Sequence, residues 1–152
     1  MRVIGLDLGT KTGVAWTDSG RVDPLFSYVW DISNEDRGKR WINFRRLLRE
    51  LIAKAPGEAL VFYENAAFQR GHAAHCFSAM VSVIEEEGCR FGVKHEGIPV
   101  SHVKKRATGR GNATKECMVE AAEKEWDMKV VDHNHADALW ILQCGLDKLE
   151  SS

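Results

Sequence analysis

The apolar positions change period along the chain, and each change marks an element. Val3, Ile4, Leu6 and Leu8 crowd an opening run interrupted by one charge, Asp7, so residues 2–7 predict a strand. The run breaks at Gly9-Thr10-Lys11-Thr12-Gly13 and resumes as Val14-Ala15-Trp16-Thr17, the pattern of a hairpin. Residues 25–31 predict a third strand. Residues 37–55 then adopt helical spacing, with Trp41, Phe44, Leu47, Leu48, Leu51 and Ile52 on one face and Pro56-Gly57 as the stop. Residues 59–64 form a short, almost wholly apolar run, as expected of a buried central strand. A helix over 72–87 is predicted to end at Gly88, followed by a strand at 90–94 and an extended stretch at 98–103. Helices over 113–126 and 135–149 complete the chain. Hairpin strands followed by alternating strands and helices imply a mixed sheet flanked by helices, an α/β fold.

Three carboxylates disturb these patterns. Asp7 lies among Val, Ile and Leu, where an ionised group loses solvation unless a cation compensates it. It can also be read as a turn aspartate bonding the N–H groups of Gly9 and Thr10. Glu64 ends the apolar run Ala59-Leu60-Val61-Phe62-Tyr63 and precedes the loop Asn65-Ala66-Ala67-Phe68. If the two strands are neighbours, the two acids repel and one must hold a proton, whereas a divalent ion lets both stay ionised. Hard oxygen donors of this kind suit Mg²⁺ or Mn²⁺. The third acid, Asp137, sits in Asp132-His133-Asn134-His135-Ala136-Asp137-Ala138. With Asn134 as N-cap it would occupy the third helical position, favoured for an acid by the helix dipole. That placement serves a cap and a ligand equally well.

Composition and charge then narrow the setting. The chain has 152 residues, 44% hydrophobic and 28% charged, values typical of one soluble globular domain spanning 1–152. No stretch approaches the roughly 20 apolar residues of a membrane span, and Asp7 interrupts the only apolar run at the N-terminus, so a cytoplasmic protein is expected. Cys76, Cys89, Cys117 and Cys144 lie far apart without a CxxC pair, as reduced thiols do. His72, His75 and Cys76 lack a second pair of ligands that would complete a zinc site. Net charge is −1, but the charges are segregated. Arg37, Lys39, Arg40, Arg45, Arg46 and Arg49 form one basic run, and Lys104, Lys105, Arg106, Arg110 and Lys115 another. Such segregation fits a face prepared for a polyanion; for the first run a solvated helix face fits as well.

Taken in order, the motifs resemble the RuvC group of Holliday-junction resolvases, within the ribonuclease-H-like superfamily, and look closest to compact phage-type members. The resemblance spans nearly the whole chain. It rests on Gly5-Leu6-Asp7-Leu8-Gly9, on Val61-Phe62-Tyr63-Glu64, on the segment from Val103 to Lys115, and on His135-Ala136-Asp137-Ala138-Leu139. It implies a ribonuclease-H-like mixed five-stranded sheet flanked by helices. It also implies a metal-dependent endonuclease, active as a homodimer, that resolves four-way DNA junctions by paired symmetric cuts in a bacterial or phage-infected cell. Asp7, Glu64 and Asp137 match the metal-binding acids, and two Mg²⁺ or Mn²⁺ ions roughly 4 Å apart would assist the hydrolysis. Lys104 and Lys115 match basic residues that contact DNA near the scissile phosphate; Lys115 would also offset transition-state charge, and Lys105, Arg106 and Arg110 would approach other phosphates. The family's usual fourth ligand, Asp or His, is replaced here by Asn134, which leaves Asp132 or His135 to supply it. The family's aromatic wedge would fall at Ala67, so Phe68 is expected to wedge or stack in a shifted register. The helix after Glu64, with Phe77, Met80, Val81 and Ile84, matches a dimerisation helix; packing on the sheet is the competing use of that stripe.

Three other functions share some of these features. Asp-x-Gly-Thr also opens sugar-kinase and actin-type ATPases, but those close two domains around a nucleotide, and 152 residues are too few for that. A nuclease acting on flaps, other branched DNA or RNA would keep the fold. A catalytically inactive junction-binding protein would explain Asn134.

Overall fold

The computed structural model describes residues 1–23, 25–66 and 69–152. Among them, five strands form one sheet in the order β3-β2-β1-β4-β5. β1 (Arg2–Asp7), β2 (Lys11–Thr17) and β3 (Phe26–Asp31) are an antiparallel meander, while β4 (Ala59–Asn65) and β5 (Lys94–Pro99) run parallel to β1. The sheet is therefore mixed, as the change from hairpins to strand–helix alternation predicted.

Alternation along the strands divides the interior into two cores. Ile4, Leu6, Val14 and Val61 point to the side covered by α1 (Arg37–Ala53) and α2 (Gly71–Phe91). Val3, Ala15, Phe62 and Ile98 point to the other side, against α3 (Val100–Thr108), α4 (Lys115–Trp126) and α5 (His133–Glu150). α5 is nearly all apolar through residues 138–142 because it lies across the middle of the sheet and is buried there. Among the described residues no helix is long and apolar enough to cross a membrane.

Three expectations for the middle of the chain are overturned. Gly88 does not stop α2, which runs on to Phe91 and ends at Gly92 in the left-handed conformation, φ 68°. Gly88 is small because β5 passes beside it: a Cβ there would meet the Val93 carbonyl oxygen at 2.8 Å. The strand expected at 90–94 is accordingly displaced to Lys94–Pro99, and the extended stretch expected at 98–103 is mostly helix α3. Pro99 is the N-cap of that helix and Val103 buries itself in the core, so tertiary packing outweighs the β-branched character of Val100 and Val103.

The first basic run turns out to be largely internal wiring. Glu87 is fully buried and accepts from Arg45 Nη1 at 3.0 Å, Arg49 Nη2 at 2.8 Å and Arg49 Nε at 2.9 Å. Arg46 pairs with Glu50, and Arg40 donates to the Asn34 carbonyl. The hydrogen bonds from Arg49 and Arg45 hold the Glu87 carboxyl below the usual glutamate range. Because the folded pKa is depressed, this clamp contributes at neutral pH and fades on acidification. Glu87→Gln should cost on the order of 2 kcal/mol at pH 7, read as a lower midpoint in urea, with a gap that narrows toward pH 4.

Candidate metal centre and nucleic-acid interface

β1 and β4 are paired in parallel so that Leu6 stands opposite Tyr63, and each strand then places a carboxylate next: Asp7 and Glu64. Alternation sends both toward the α5 side, the face shared by Val3 and Phe62. Asp7 also pairs with Gly13 across the hairpin.

The third acid arrives because α5 descends unusually close to the sheet. A Cβ on Gly13 would lie 1.9 Å from the Asn134 carbonyl oxygen, and one on Gly5 would lie 2.5 Å from the Leu142 nitrogen and 2.7 Å from the Ala138 carbonyl. Gly145 lies against the Phe62 ring, where a Cβ would come within 2.3 Å. Residues 134, 138, 142 and 145 are one stripe of a helix, seated on β2, β1 and β4 in turn. Asp137 flanks that stripe beside Asp7 and Glu64. The sequence showed the acids; it did not show that Gly5 and Gly13 form the slot that brings Asp137 to them.

The start of α5 differs from expectation. Asp132, not Asn134, is the N-cap, with Oδ1 accepting from the His135 N–H at 2.9 Å. Asp137 is therefore in the second turn, held by packing rather than by a first-turn position. His135 is buried and both ring nitrogens are engaged: Nδ1 accepts from the Val131 N–H at 3.1 Å, and Nε2 lies 2.7 Å from Ser27 Oγ on β3. Since Nδ1 accepts, Nε2 carries the proton and donates to Ser27. Burial lowers the His135 pKa, consistent with a neutral ring. The expectation that His135 supplies a metal ligand is corrected on this ground, since neither nitrogen is free.

Burial pushes the Asp7 carboxyl well above its usual range, and the charges of Asp137, Glu64 and Asp132 add to it, with Lys115 opposing. Burial and then Glu64 push Asp137 up to about 7, against the pull of Lys104 and Lys115. Burial raises Glu64 too, and Lys104 lowers it. No salt bridge among the described residues reaches Asp7, Glu64 or Asp137. Converging carboxylates without a bonded counter-cation fit a hard divalent ion, which would compensate all three. Among the described residues no three His, Cys, Asp or Glu groups draw together as a preformed cage.

Glu64 and Asp137 line a cleft of about 360 Å³ with Asn65, Gln69, Lys104, Lys115 and Met118. A larger groove, about 680 Å³, lies elsewhere, between β5, α2 and Leu149, and contains none of these acids. The second basic segment spans two helices and the turn between them. Lys104 is on α3, a turn follows at Gly109 with φ 79°, and Lys115 opens α4, capped by Thr114 Oγ1 accepting from Cys117 N–H at 3.2 Å. Lys105 and Arg110 are exposed beside the cleft-facing Lys104. Arg106 is exposed; its Nε is bonded to Asp147 at 2.6 Å and its guanidinium lies over the Trp140 ring, which ties it to α5. Phe68, expected as a wedge, lies outside the described residues. On α2, Met80 and Ile84 are buried against the sheet, whereas Phe77 and Val81 are only half-buried.

No family model matches the chain, and no curated protein matches it by sequence. Solved structures do. Thermus thermophilus RuvC superposes with a TM-score of 0.77 at 21% identity, over 99% of this chain and 97% of that one. T. thermophilus RuvC in complex with Holliday junction substrate gives 0.75 at 20% identity, over 99% and 96%. Neither match bears on the likeness to phage-type members. The mixed five-stranded sheet, its flanking helices and these neighbours agree: the chain has a RuvC-like fold.

Proposed function

We propose that the protein is a metal-dependent endonuclease that resolves four-way DNA junctions by paired phosphodiester hydrolysis. One observation carries the reading: Asp7, Glu64 and Asp137, from β1, β4 and α5, lie near enough for Asp7 to feel the other two charges, no salt bridge among the described residues reaches them, and Lys104 and Lys115 line one cleft with Glu64 and Asp137. The RuvC structure with Holliday junction substrate supports the choice of DNA form.

Asp7, Glu64 and Asp137 would hold Mg²⁺, with Mn²⁺ able to substitute, and Asp132 or Asn134 would complete the set. When bound, the ion would keep the carboxylates ionised, activate a water and stabilise the leaving oxygen. Lys104 and Lys115 would draw the scissile phosphate down against the acids, and Lys115, at the positive end of α4, would offset charge that builds during the reaction. Lys105 and Arg110 extend the positive surface outward, where the flanking backbone would run. Two matched cuts need two copies, and the half-buried Phe77 and Val81 on α2 offer a patch for a symmetric pair.

A synthetic four-way junction, a flap and a duplex incubated in Mg²⁺ or Mn²⁺ test the proposal. Paired symmetric nicks confined to the junction are expected. Preference for the flap would move the protein to another branched substrate, and binding without metal-dependent cleavage would favour the inactive junction binder that Asn134 at the ligand position suggests. In the same assay Lys104→Ala and Lys115→Ala should each reduce cleavage by about 10–100-fold, the size of losing one charge-stabilising donor. Their melting temperatures should stay near wild type, because Lys104 is half-buried at the cleft and Lys115 is exposed.

A further inference from the structure

The buried ring of His135 and the hydroxyl of Ser27 are an unexpected polar link between the edge strand β3 and the helix that carries Asp137. Ser27 pairs with Ala15 on β2 and points to the α5 side of the sheet. His135 is fastened at three points: its N–H to Asp132, Nδ1 to the Val131 N–H, and Nε2 to Ser27 Oγ at 2.7 Å. Asp137 follows two residues later, about 200° around the helix, so the two side chains leave opposite flanks of α5. Between them runs the contact stripe seated on Gly13 and Gly5, where the backbone is too close for any side chain to intervene.

We infer that Ser27 and His135 are positioning residues for the carboxylate cluster: the clip on one flank of α5 fixes the rotation of its first turns and thereby holds Asp137 toward Asp7 and Glu64. The glycine slot sets how near the helix comes and the buried side chains from Ala138 to Leu142 seat its middle, which leaves the rotation of its first turns to be fixed from the flank. The directional hydrogen bond to Ser27 supplies that restraint. Ser27 touches none of the three acids; it would act only through α5. The inference rests on the metal-site reading above.

Ser27 is the residue to change, since His135→Ala would empty a buried site and can simply unfold the start of α5. Ser27→Ala deletes the hydroxyl, and Ser27→Thr keeps it on a strand residue suited to β-branching. Two readouts are needed on the full chain without DNA: amide hydrogen exchange in metal-free protein, and calorimetric titration with Mn²⁺. Ser27→Ala should speed exchange at residues 135–138 several-fold and weaken Mn²⁺ uptake by about tenfold, the lower end of losses seen when a support of a metal ligand is removed. Ser27→Thr should restore both to within about twofold of wild type. Ser27→Ala with a lower melting temperature but unchanged exchange and Mn²⁺ affinity would overturn the inference, reducing the bond to ordinary stability. Equal loss in Ser27→Thr would overturn it too. A wild-type chain that takes up no Mn²⁺ would instead bring down the metal reading itself, a result visible before any variant is compared.

Discussion

Asp7→Asn should abolish strand cleavage and yet leave the metal-free protein more stable than wild type at pH 8. The loss of cleavage should exceed about a hundredfold, because Asp7 would be a ligand itself and not merely the support of one. The gain in stability follows from its surroundings. Burial and the neighbouring charges of Asp137, Glu64 and Asp132 raise the folded pKa of Asp7, and Asp137 is pushed up to about 7. A carboxyl whose folded pKa lies above its unfolded value binds protons more tightly in the folded state. Folding stability therefore falls as pH rises from the unfolded value, near 4, through the folded one, and the full cost is present above it. Amide substitution removes that charge. Metal-free Asp137→Asn should gain on the order of 1–2 kcal/mol at pH 8, after allowing for the screening of a cleft open to water, and Asp7→Asn should shift in the same direction. Near pH 4 the gain should vanish. Denaturant midpoints at the two pH values, with a chelator present, measure it. A variant as stable as wild type at pH 8 would mean that the cluster is not under charge stress.

Gly13→Ala should be the most damaging single methyl in the protein. Its Cβ would stand 1.9 Å from the carbonyl oxygen of Asn134, which is backbone and cannot rotate aside. Either β2 or the start of α5 must retreat, and Asp137 would retreat with the helix. A loss of about 3 kcal/mol is expected, at the upper end for overpacking, together with loss of cleavage. Gly9→Ala is the internal control: a Cβ there makes only an ordinary 3.7 Å contact with the Lys11 carbonyl, so stability should change by no more than about 0.5 kcal/mol. If Gly13→Ala folded and cut like wild type, the close seat of α5 would not matter to the site.

The contrast between these two residues shows what a sequence can disclose. Asp7 announces itself, because a charge within Val-Ile-Gly-Leu contradicts its setting. Glu64 does so for the same reason, and strand alternation then places both on one face. Gly13 reads only as part of a turn, since its role depends on a helix more than a hundred residues away. His135 was open to misreading for a related reason. Histidines spaced by one residue beside an Asp resemble ligands, and only Ser27, remote in sequence, reveals where the ring is bound. Arg45 and Arg49 looked like a polyanion surface until Glu87 was found beneath them, and Gly88 looked like a helix stop until β5 was found against it. Local patterns therefore disclosed β1 to β4 and most helices, misplaced β5, missed α3, and singled out the three acids. Pairings between distant segments, which decide which charges are free, had to come from the fold.

Asp7, Glu64 and Asp137 together would form a divalent-cation site. Melting temperature at pH 8, with and without Mn²⁺, for wild type and Asp7→Asn, tests it most directly. An ion that binds only the folded state must stabilise it, and the wild type has the most charge to relieve. Saturable stabilisation of wild type by Mn²⁺, absent in Asp7→Asn, is the predicted result. Equal shifts in the two proteins, or none in either, would contradict the claim.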